Sequence, residues 1–252
     1  MTEKEERFNE IAKQEAQSKS DNIDDFEHYS YYVCPDQYVG KIKEVIKKKR
    51  LERKNIEETN VIEQYDKIII LILESPHQDE FESDKNVLRR FPIGPANGVT
   101  GVNIWKFSNS IFLRKIGNWG DCALLLMNAI PFQCSLGVDT EHFRYDVFKK
   151  AWDDKNIGAD FFKDRLAKLL NALSSKKFVI VNACTKGYNA TNDSKVRSFL
   201  WRLVQESIEK ITLNKEKKIH YFRINHPSSW SLNEKNRKIK EDRVITFYKT
   251  EK

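Results

Sequence analysis

Four short β-like runs constrain this chain more than any other feature of its sequence. They cover residues 66–73, 122–128, 177–182 and 219–224, and the first three are continuously apolar. Apolar runs of this length are typical of strands that are buried on both faces of a parallel sheet. Helix-like stretches separate the runs, at about residues 103–116, 141–152, 160–173 and 195–210. Strands that alternate with helices in this way predict an α/β protein with right-handed crossovers.

The predicted architecture is a three-layer α/β/α sandwich with a four-stranded parallel sheet, formed by residues 61–252. The first 60 residues are polar, and their pattern predicts helices at about 3–18 and 37–57, which would form a basic, helical N-terminal extension. The basic cluster 41–54 on the second helix would either contact phosphate or form a solvated helix face. A length of 252 residues suits one α/β domain with such an extension.

The charge balance favours an anionic partner. Lysine and arginine number 44 against 37 acidic residues, which gives a net charge of +7. Nucleic acid is the commonest partner of such a basic chain, although a generally lysine-rich composition would give the same balance.

The four cysteines, Cys34, Cys122, Cys134 and Cys184, form no C-x-x-C pair and fit no zinc or iron–sulfur spacing. We expect reduced, mostly buried thiols and neither a metal nor a cluster. The first residues contain no apolar signal segment, and the longest apolar run is too short to span a membrane. We therefore expect a cytoplasmic, nucleoid-associated monomer with no membrane partner.

Polar residues follow the strands, where parallel sheets keep their ligand sites. Glu74-Ser75-Pro76-His77 follows the first run and combines a carboxylate, a turn and an imidazole. This is an acid–base element or a hydrogen-bonded turn with surface acids. Asn128 ends the second run and could read a pyrimidine edge or hold a turn. The segment 182–187 follows the third run, and His226-Pro227-Ser228-Ser229-Trp230 follows the fourth.

Other reaction classes fit the motifs less well. The glycine-rich segment 91–101 permits close approach to a phosphate, but it is neither a P-loop nor a dinucleotide fingerprint. There is no Gly-x-Ser-x-Gly elbow for a serine hydrolase. A metal hydrolase would need clustered His and Asp ligands, whereas the five histidines are scattered. A Cys–His catalyst would use Cys134 or Cys184, although nothing in the sequence marks either thiol as activated.

These motifs, in this order over about residues 66–232, resemble those of the uracil-DNA glycosylase superfamily. The resemblance implies a catalytic motif at residues 74–77, a phenylalanine-bearing glycine-rich segment at 91–101, a base-reading Asn128 and a final His-Pro-Ser motif followed by a wedge residue. Two features depart from the pattern. Ser75 stands where Asp or Asn often positions the attacking water, and the four cluster-binding cysteines of the thermophile-type branch are missing.

The resemblance also assigns roles to particular residues. Catalysis would fall to Glu74, His77 and His226. The target base would contact Ser75, Pro76, Phe91 and Asn128. DNA would be held by Gly98, Gly101, Ser228, Ser229 and Trp230, with Trp230 filling the vacated base stack; ordinary core packing is the alternative for Trp230.

The expected activity is that of a monofunctional DNA glycosylase. It would hydrolyse the N-glycosidic bond of a flipped-out uracil or a modified or damaged pyrimidine in single- or double-stranded DNA, leaving an abasic site, in repair or in defence against foreign DNA. No cofactor is expected. The alternatives are a non-enzymatic DNA-binding protein with a glycosylase-like fold, which Ser75 favours, and a nucleoside or nucleotide hydrolase.

Overall fold

The computed structural model describes residues 2–19, 39–41, 65–77, 80, 96, 98–116, 122–134, 140–173, 175–185, 199–213 and 216–247. The helices in these ranges are α1 (Glu3–Lys19), α2 (Val99–Ile116), α3 (Thr140–Asp153), α4 (Ala159–Ala172) and α5 (Leu200–Glu209). The strands are β1 (Val39–Lys41), β2 (Lys67–Leu73), β3 (Ala123–Asn128), β4 (Lys177–Asn182), β5 (Lys217–Arg223) and β6 (Glu241–Phe247). Two 3₁₀ turns lie between β5 and β6, at Pro227–Ser229 and Glu234–Arg237.

The strands form one mixed sheet in the order β1-β3-β2-β4-β5-β6. The four inner strands, β3, β2, β4 and β5, are parallel to one another, whereas β1 pairs antiparallel with β3 and β6 pairs antiparallel with β5. The predicted α/β class is confirmed, but the prediction of a purely parallel, four-stranded sheet is wrong. The sequence pattern missed β6 because this outer strand buries only Ile245 and Phe247 and carries charged residues over its first half.

The direction of the chain connections changes between β2 and β4, at the carboxyl ends of these two strands. From β2 the chain goes to β3 on one side, whereas β4 lies on the other side and leads away to β5. Such a switch in direction is the place where open α/β sheets leave room for a ligand.

Two apolar layers cover the sheet, because alternate residues of each strand face opposite sides. Ile68, Ile70 and Ile72 of β2 belong to a core cluster that also contains buried residues of α1, α3, α4 and α5. The intervening residues, Ile69 and Leu71, belong to a second cluster that also contains buried residues of α2. Both faces of β2 are therefore buried, as the continuous apolar run predicts.

The described parts of the first 60 residues belong to the domain core. Helix α1, which confirms the first predicted helix, buries Phe8, and that ring stacks on Phe132 with centroids 4.8 Å apart. The second predicted helix is wrong at Val39–Lys41, which is a strand paired with β3. The rest of that helix, with most of the basic cluster, lies outside the described residues. Helix α1 and strand β1 therefore pack against the rest of the domain.

None of the helices in the described ranges has the combination of length and apolar character that crossing a bilayer requires.

Candidate functional site

The carboxylate of Glu74 lies at the switch point, directly after β2. The residue is only 3% exposed. Its Oε2 accepts hydrogen bonds from the backbone N–H of Thr185, at 3.2 Å, and from the Thr185 hydroxyl. Its Oε1 lies 3.2 Å from Nε of Arg144 on α3. The carboxylate is thus fixed between the segment after β4 and a helix on one face of the sheet.

The imidazole of His226 follows β5 and caps the 3₁₀ turn at Pro227–Ser229. Its Nδ1 accepts from the backbone N–H of Ser228, at 3.3 Å, and lies 2.9 Å from the Ser228 hydroxyl. In the neutral ring the proton is therefore on Nε2, which becomes a hydrogen-bond donor.

The protonation of His226 follows from its surroundings. Although part of the residue is accessible, the loss of hydration on burial lowers its pKa from 6.5 to about 4. The negative charge of Glu74 acts in the opposite direction, and Arg144 and His77 lower the pKa further. At neutral pH the ring is uncharged and donates through Nε2.

The His-Pro-Ser turn is held in place by a buried residue of α2. The side-chain Nδ2 of Asn103 donates to the carbonyl oxygens of Pro227, at 2.8 Å, and Ser228, at 3.2 Å. Within the turn, the Ser229 hydroxyl donates to the His226 carbonyl oxygen at 2.8 Å. Ser228 is the exposed serine of the pair, whereas the Ser229 hydroxyl is used inside the turn.

The structure contradicts the wedge role predicted for Trp230. The side chain is fully buried, its Nε1 donates to the Asn225 carbonyl oxygen at 2.7 Å, and its ring meets Phe112 edge to face at 6.4 Å. Trp230 fills the space between the sheet and α2, so it cannot enter a base stack without unfolding this layer. Two residues later, Leu232 is 76% exposed.

Asn128 lies beside Glu74, because β3 runs in register with β2. Leu73 pairs with Asn128, and the backbone N–H of Ile130 donates to the Glu74 carbonyl oxygen at 2.9 Å. Asn128 is 4% exposed, and Arg165 on α4 donates to its backbone carbonyl oxygen at 2.6 Å. The predicted base-reading residue is therefore a neighbour of the predicted catalytic carboxylate.

The rest of the first motif forms a short turn after Glu74. The Ser75 hydroxyl oxygen is buried and interacts with the Cys134 thiol. Pro76 is buried and stiffens the turn, and the backbone N–H of His77 donates to the Glu80 carboxylate at 3.2 Å. His77 thus has a local role in the turn, and its charge acts on His226.

The glycines before and within α2 serve packing and helix initiation. The carbonyl oxygen of Gly98 accepts from the backbone N–H of Gly101 at 3.0 Å. A Cβ atom at position 101 would lie 1.7 Å from the carbonyl oxygen of Ala96, so a side chain does not fit there. The backbone of Ala96 itself has a φ of +52°. The Gly101 N–H is used in the helix, so the prediction that it binds phosphate is not supported by its geometry. The predicted stacking residue Phe91 lies outside the described residues.

Both thiols near the site are poor nucleophiles. Cys134 and Cys184 are buried, and burial raises the pKa of each above its ordinary value. The negative charge of Glu74 raises both further. The alternative of a Cys–His catalyst therefore loses its nucleophile, because the thiolate is the reactive form.

Three residues that sequence reasoning did not assign to the site are essential to its geometry: Arg144, Asn103 and Thr185. In the sequence, Arg144 resembles any solvated helix cation. Asn103 carries a weak signal, because it is a lone amide in an otherwise apolar helix. Thr185 belongs to the segment 182–187, which follows the third run and received no particular role.

The fold and the site define an α/β protein whose polar side chains meet at the switch point of a mostly parallel sheet. Comparison of the chain with protein-family models, with curated proteins and with solved structures gives no match. The functional inference therefore depends on the chemistry of the site itself.

Proposed function

We propose that the protein is a DNA glycosylase that hydrolyses the N-glycosidic bond of a flipped-out uracil or of a modified or damaged pyrimidine. The observation that carries this proposal is the neutral His226 ring with its proton on Nε2, close enough to Glu74 for that carboxylate to act on its pKa. Cleavage of the N-glycosidic bond leaves negative charge on the departing base. A fixed neutral donor stabilises that charge, as an oxyanion-hole donor does.

The sugar left behind acquires positive charge, which Glu74 is suited to stabilise. Carboxylates play this part in the hydrolysis of other glycosidic bonds. Both Glu74 oxygens are already bound, so its role is that of a fixed negative charge more than of a mobile base. The Ser75 hydroxyl, which follows Glu74 in the same turn, is the group that would hold the attacking water.

Asn128 would select the base. Its side-chain amide offers one donor and one acceptor group, which match the hydrogen-bonding edge of a pyrimidine. The predicted stacking of Phe91 on the same base stays part of this proposal.

The segment after the His-Pro-Ser turn would contact the DNA. It carries Lys235, Lys238 and Lys240, which are exposed and suited to phosphate contacts. The exposed side chain of Leu232 takes the wedge role in place of Trp230, since an apolar residue at the DNA surface can fill the space left by a flipped nucleotide.

A second candidate is a DNA-binding protein that keeps this fold without turnover. The observation that favours it is the engagement of both Glu74 oxygens by Arg144 and Thr185, together with a serine at position 75. In that case salt-dependent DNA binding would remain and no base would be released.

The test is base release, followed by mass spectrometry, from single- and double-stranded DNA that contains uracil, other deaminated bases or modified cytosines. We expect release from at least one substrate, with loss in His226→Ala and Asn128→Ala. The matched control is His220→Ala, an exposed histidine of β5 outside the site. Binding without release from any substrate would support the second candidate, and equal release by all variants would remove the site assignment.

A further inference from the structure

Two aromatic rings and two guanidinium groups form a compact cluster at the start of α5. The rings of Phe199 and Trp201 are stacked, with centroids 5.9 Å apart and planes 13° from parallel. The guanidinium carbon of Arg202 lies 5.5 Å from the Phe199 centroid and 5.4 Å from that of Trp201. Arg223 lies over Trp201 at 4.3 Å.

This arginine–aromatic cluster stands at the same edge of the sheet as the candidate site. The backbone N–H of Trp201 donates to the carbonyl oxygen of Thr185 at 3.1 Å, and Thr185 also binds Glu74. The side chain of Asn182, the last residue of β4, donates to the Trp201 carbonyl oxygen at 2.8 Å. The cluster and the buried carboxylate are therefore connected through a single residue.

The cluster is accessible and retains positive charge. Phe199 and Trp201 are partly exposed, and Arg202 is exposed without a carboxylate partner among the described residues. Arg223 lies 3.6 Å from Glu241, which also pairs with Arg243, and Arg243 pairs with Glu209 as well. Two carboxylates thus balance Arg223 and Arg243, and the net positive charge of the cluster is that of Arg202.

We propose that the arginine–aromatic cluster binds unpaired nucleotides of the DNA strand next to the target base. This inference rests on the proposed function and adds to it the form of DNA that the protein prefers. Unpaired bases stack on aromatic rings and on guanidinium planes, and the same guanidinium groups attract the backbone phosphates. Paired bases inside a duplex already stack on each other, so their faces are covered and the rings offer them little.

The experiment measures binding of a fluorescein-labelled single-stranded oligothymidylate, and of a duplex of equal length, by fluorescence anisotropy. Trp201→Leu should weaken single-strand binding about fivefold to a hundredfold, the range expected for one lost base–aromatic stack. Trp201→Phe keeps a ring and should restore most of the affinity. Arg202→Gln should also weaken single-strand binding. All three variants should leave duplex binding within about twofold of the wild type. For the Trp201 variants the reason is that paired bases do not stack on the ring, and for Arg202→Gln it is that one lost cation changes a duplex affinity little at moderate salt.

The charge control is Lys218→Gln, an exposed cation near the amino end of β5, at the opposite edge of the sheet. Thermal unfolding of each variant separates loss of the contact from loss of the fold. The proposal is overturned if Lys218→Gln weakens binding as much as Arg202→Gln, if Trp201→Phe behaves like Trp201→Leu, or if duplex binding alone is lost.

This measurement is separate from the test of catalysis. Loss of single-strand binding in a protein that releases no base would leave the cluster assigned and remove the glycosylase. Base release by the wild type, together with unchanged single-strand binding in Trp201→Leu and Arg202→Gln, would support the glycosylase and remove the role assigned to the cluster.

Discussion

Glu74 and Thr185 join the carboxyl ends of two neighbouring parallel strands. Oε2 of Glu74 accepts from the backbone N–H of Thr185 at 3.2 Å, at the point where the strand order changes direction. The bond places a buried negative charge at the point where open α/β sheets commonly bind their ligands. Arg144 supplies the compensating positive charge from α3.

The Glu74–Arg144 pair should be coupled energetically. Glu74→Gln should lower the free energy of unfolding by about 2 kcal/mol, because a mostly buried charge loses its partner. Arg144→Gln should lower the free energy of unfolding by a similar amount. The double variant should lose less stability than the sum of the losses in the two single variants. Urea unfolding of the four proteins measures this, and strictly additive losses would show that the pair does not interact.

Replacing His226 should affect base release far more than stability. Loss of one donor to a developing anion typically lowers the rate about a hundredfold to a thousandfold. We expect that loss in His226→Ala, with His220→Ala close to the wild type. Single-turnover release from the best substrate of the DNA panel is the measurement, and a change of less than tenfold in His226→Ala would contradict the assigned role.

The lowered pKa of His226 predicts a particular dependence of stability on pH. Its folded-state pKa is about 4, whereas the ordinary value is 6.5, so the unfolded chain takes up this proton first as the pH falls. The stability contributed by the neutral ring is complete above pH 6.5 and is lost progressively as the pH falls towards 4. His226→Gln lacks this proton uptake.

Urea unfolding at several pH values tests this prediction. The difference in unfolding free energy between wild type and His226→Gln should be constant above pH 6.5 and should shift in favour of the variant below it. A constant difference down to pH 4 would mean that the ring titrates in the same way in both states. Base release should stay level down to about pH 5, because the neutral ring is the donor.

Trp230 and Leu232 should show opposite phenotypes. Trp230→Phe removes the indole N–H and part of a buried ring, and should cost about 1–3 kcal/mol of stability. Leu232→Ala should change stability by less than about 0.5 kcal/mol, because the side chain is exposed. Leu232→Ala should slow base release from duplex DNA and leave base release from single strands unchanged. Equal slowing on both substrates would exclude a wedge role for Leu232.

Helix α1 should stabilise the whole domain. Phe8→Ala should lower the free energy of unfolding by about 3–5 kcal/mol, since it removes a fully buried ring that stacks on Phe132. Lys13→Ala, an exposed position on the same helix, is the matched control. If Phe8→Ala unfolded with the wild-type midpoint, α1 would have to be regarded as a dispensable appendage.

Local patterns were sufficient to predict the inner strands and the helices. A strand buried on both faces must be apolar throughout, so residues 68–73 are recognisable without a structure. An outer strand has no such requirement, and the charged residues that begin β6 hide it. The short strand Val39–Lys41 gives too little pattern to separate it from the helix predicted there.

The sequence could predict only those residues of the candidate site that are polar or titratable and stand at the end of a strand. Glu74, Asn128 and His226 stand at the carboxyl ends of strands or just beyond them, so their position along one edge follows from the topology. The contacts of Arg144 and Asn103 depend on how α3 and α2 lie against that edge, which no local pattern encodes. The burial of Trp230 is likewise decided by the packing of α2 on the sheet.

The contact between Phe8 and Phe132 joins residues that are far apart in the chain. Ribosomes make a chain from its N-terminus, so Phe8, Ile11 and Ala12 emerge long before the residues that cover them. Until then the apolar side of the first helix faces solvent. During synthesis these side chains can be buried only after the strand that precedes Phe132 has been made and has joined the sheet.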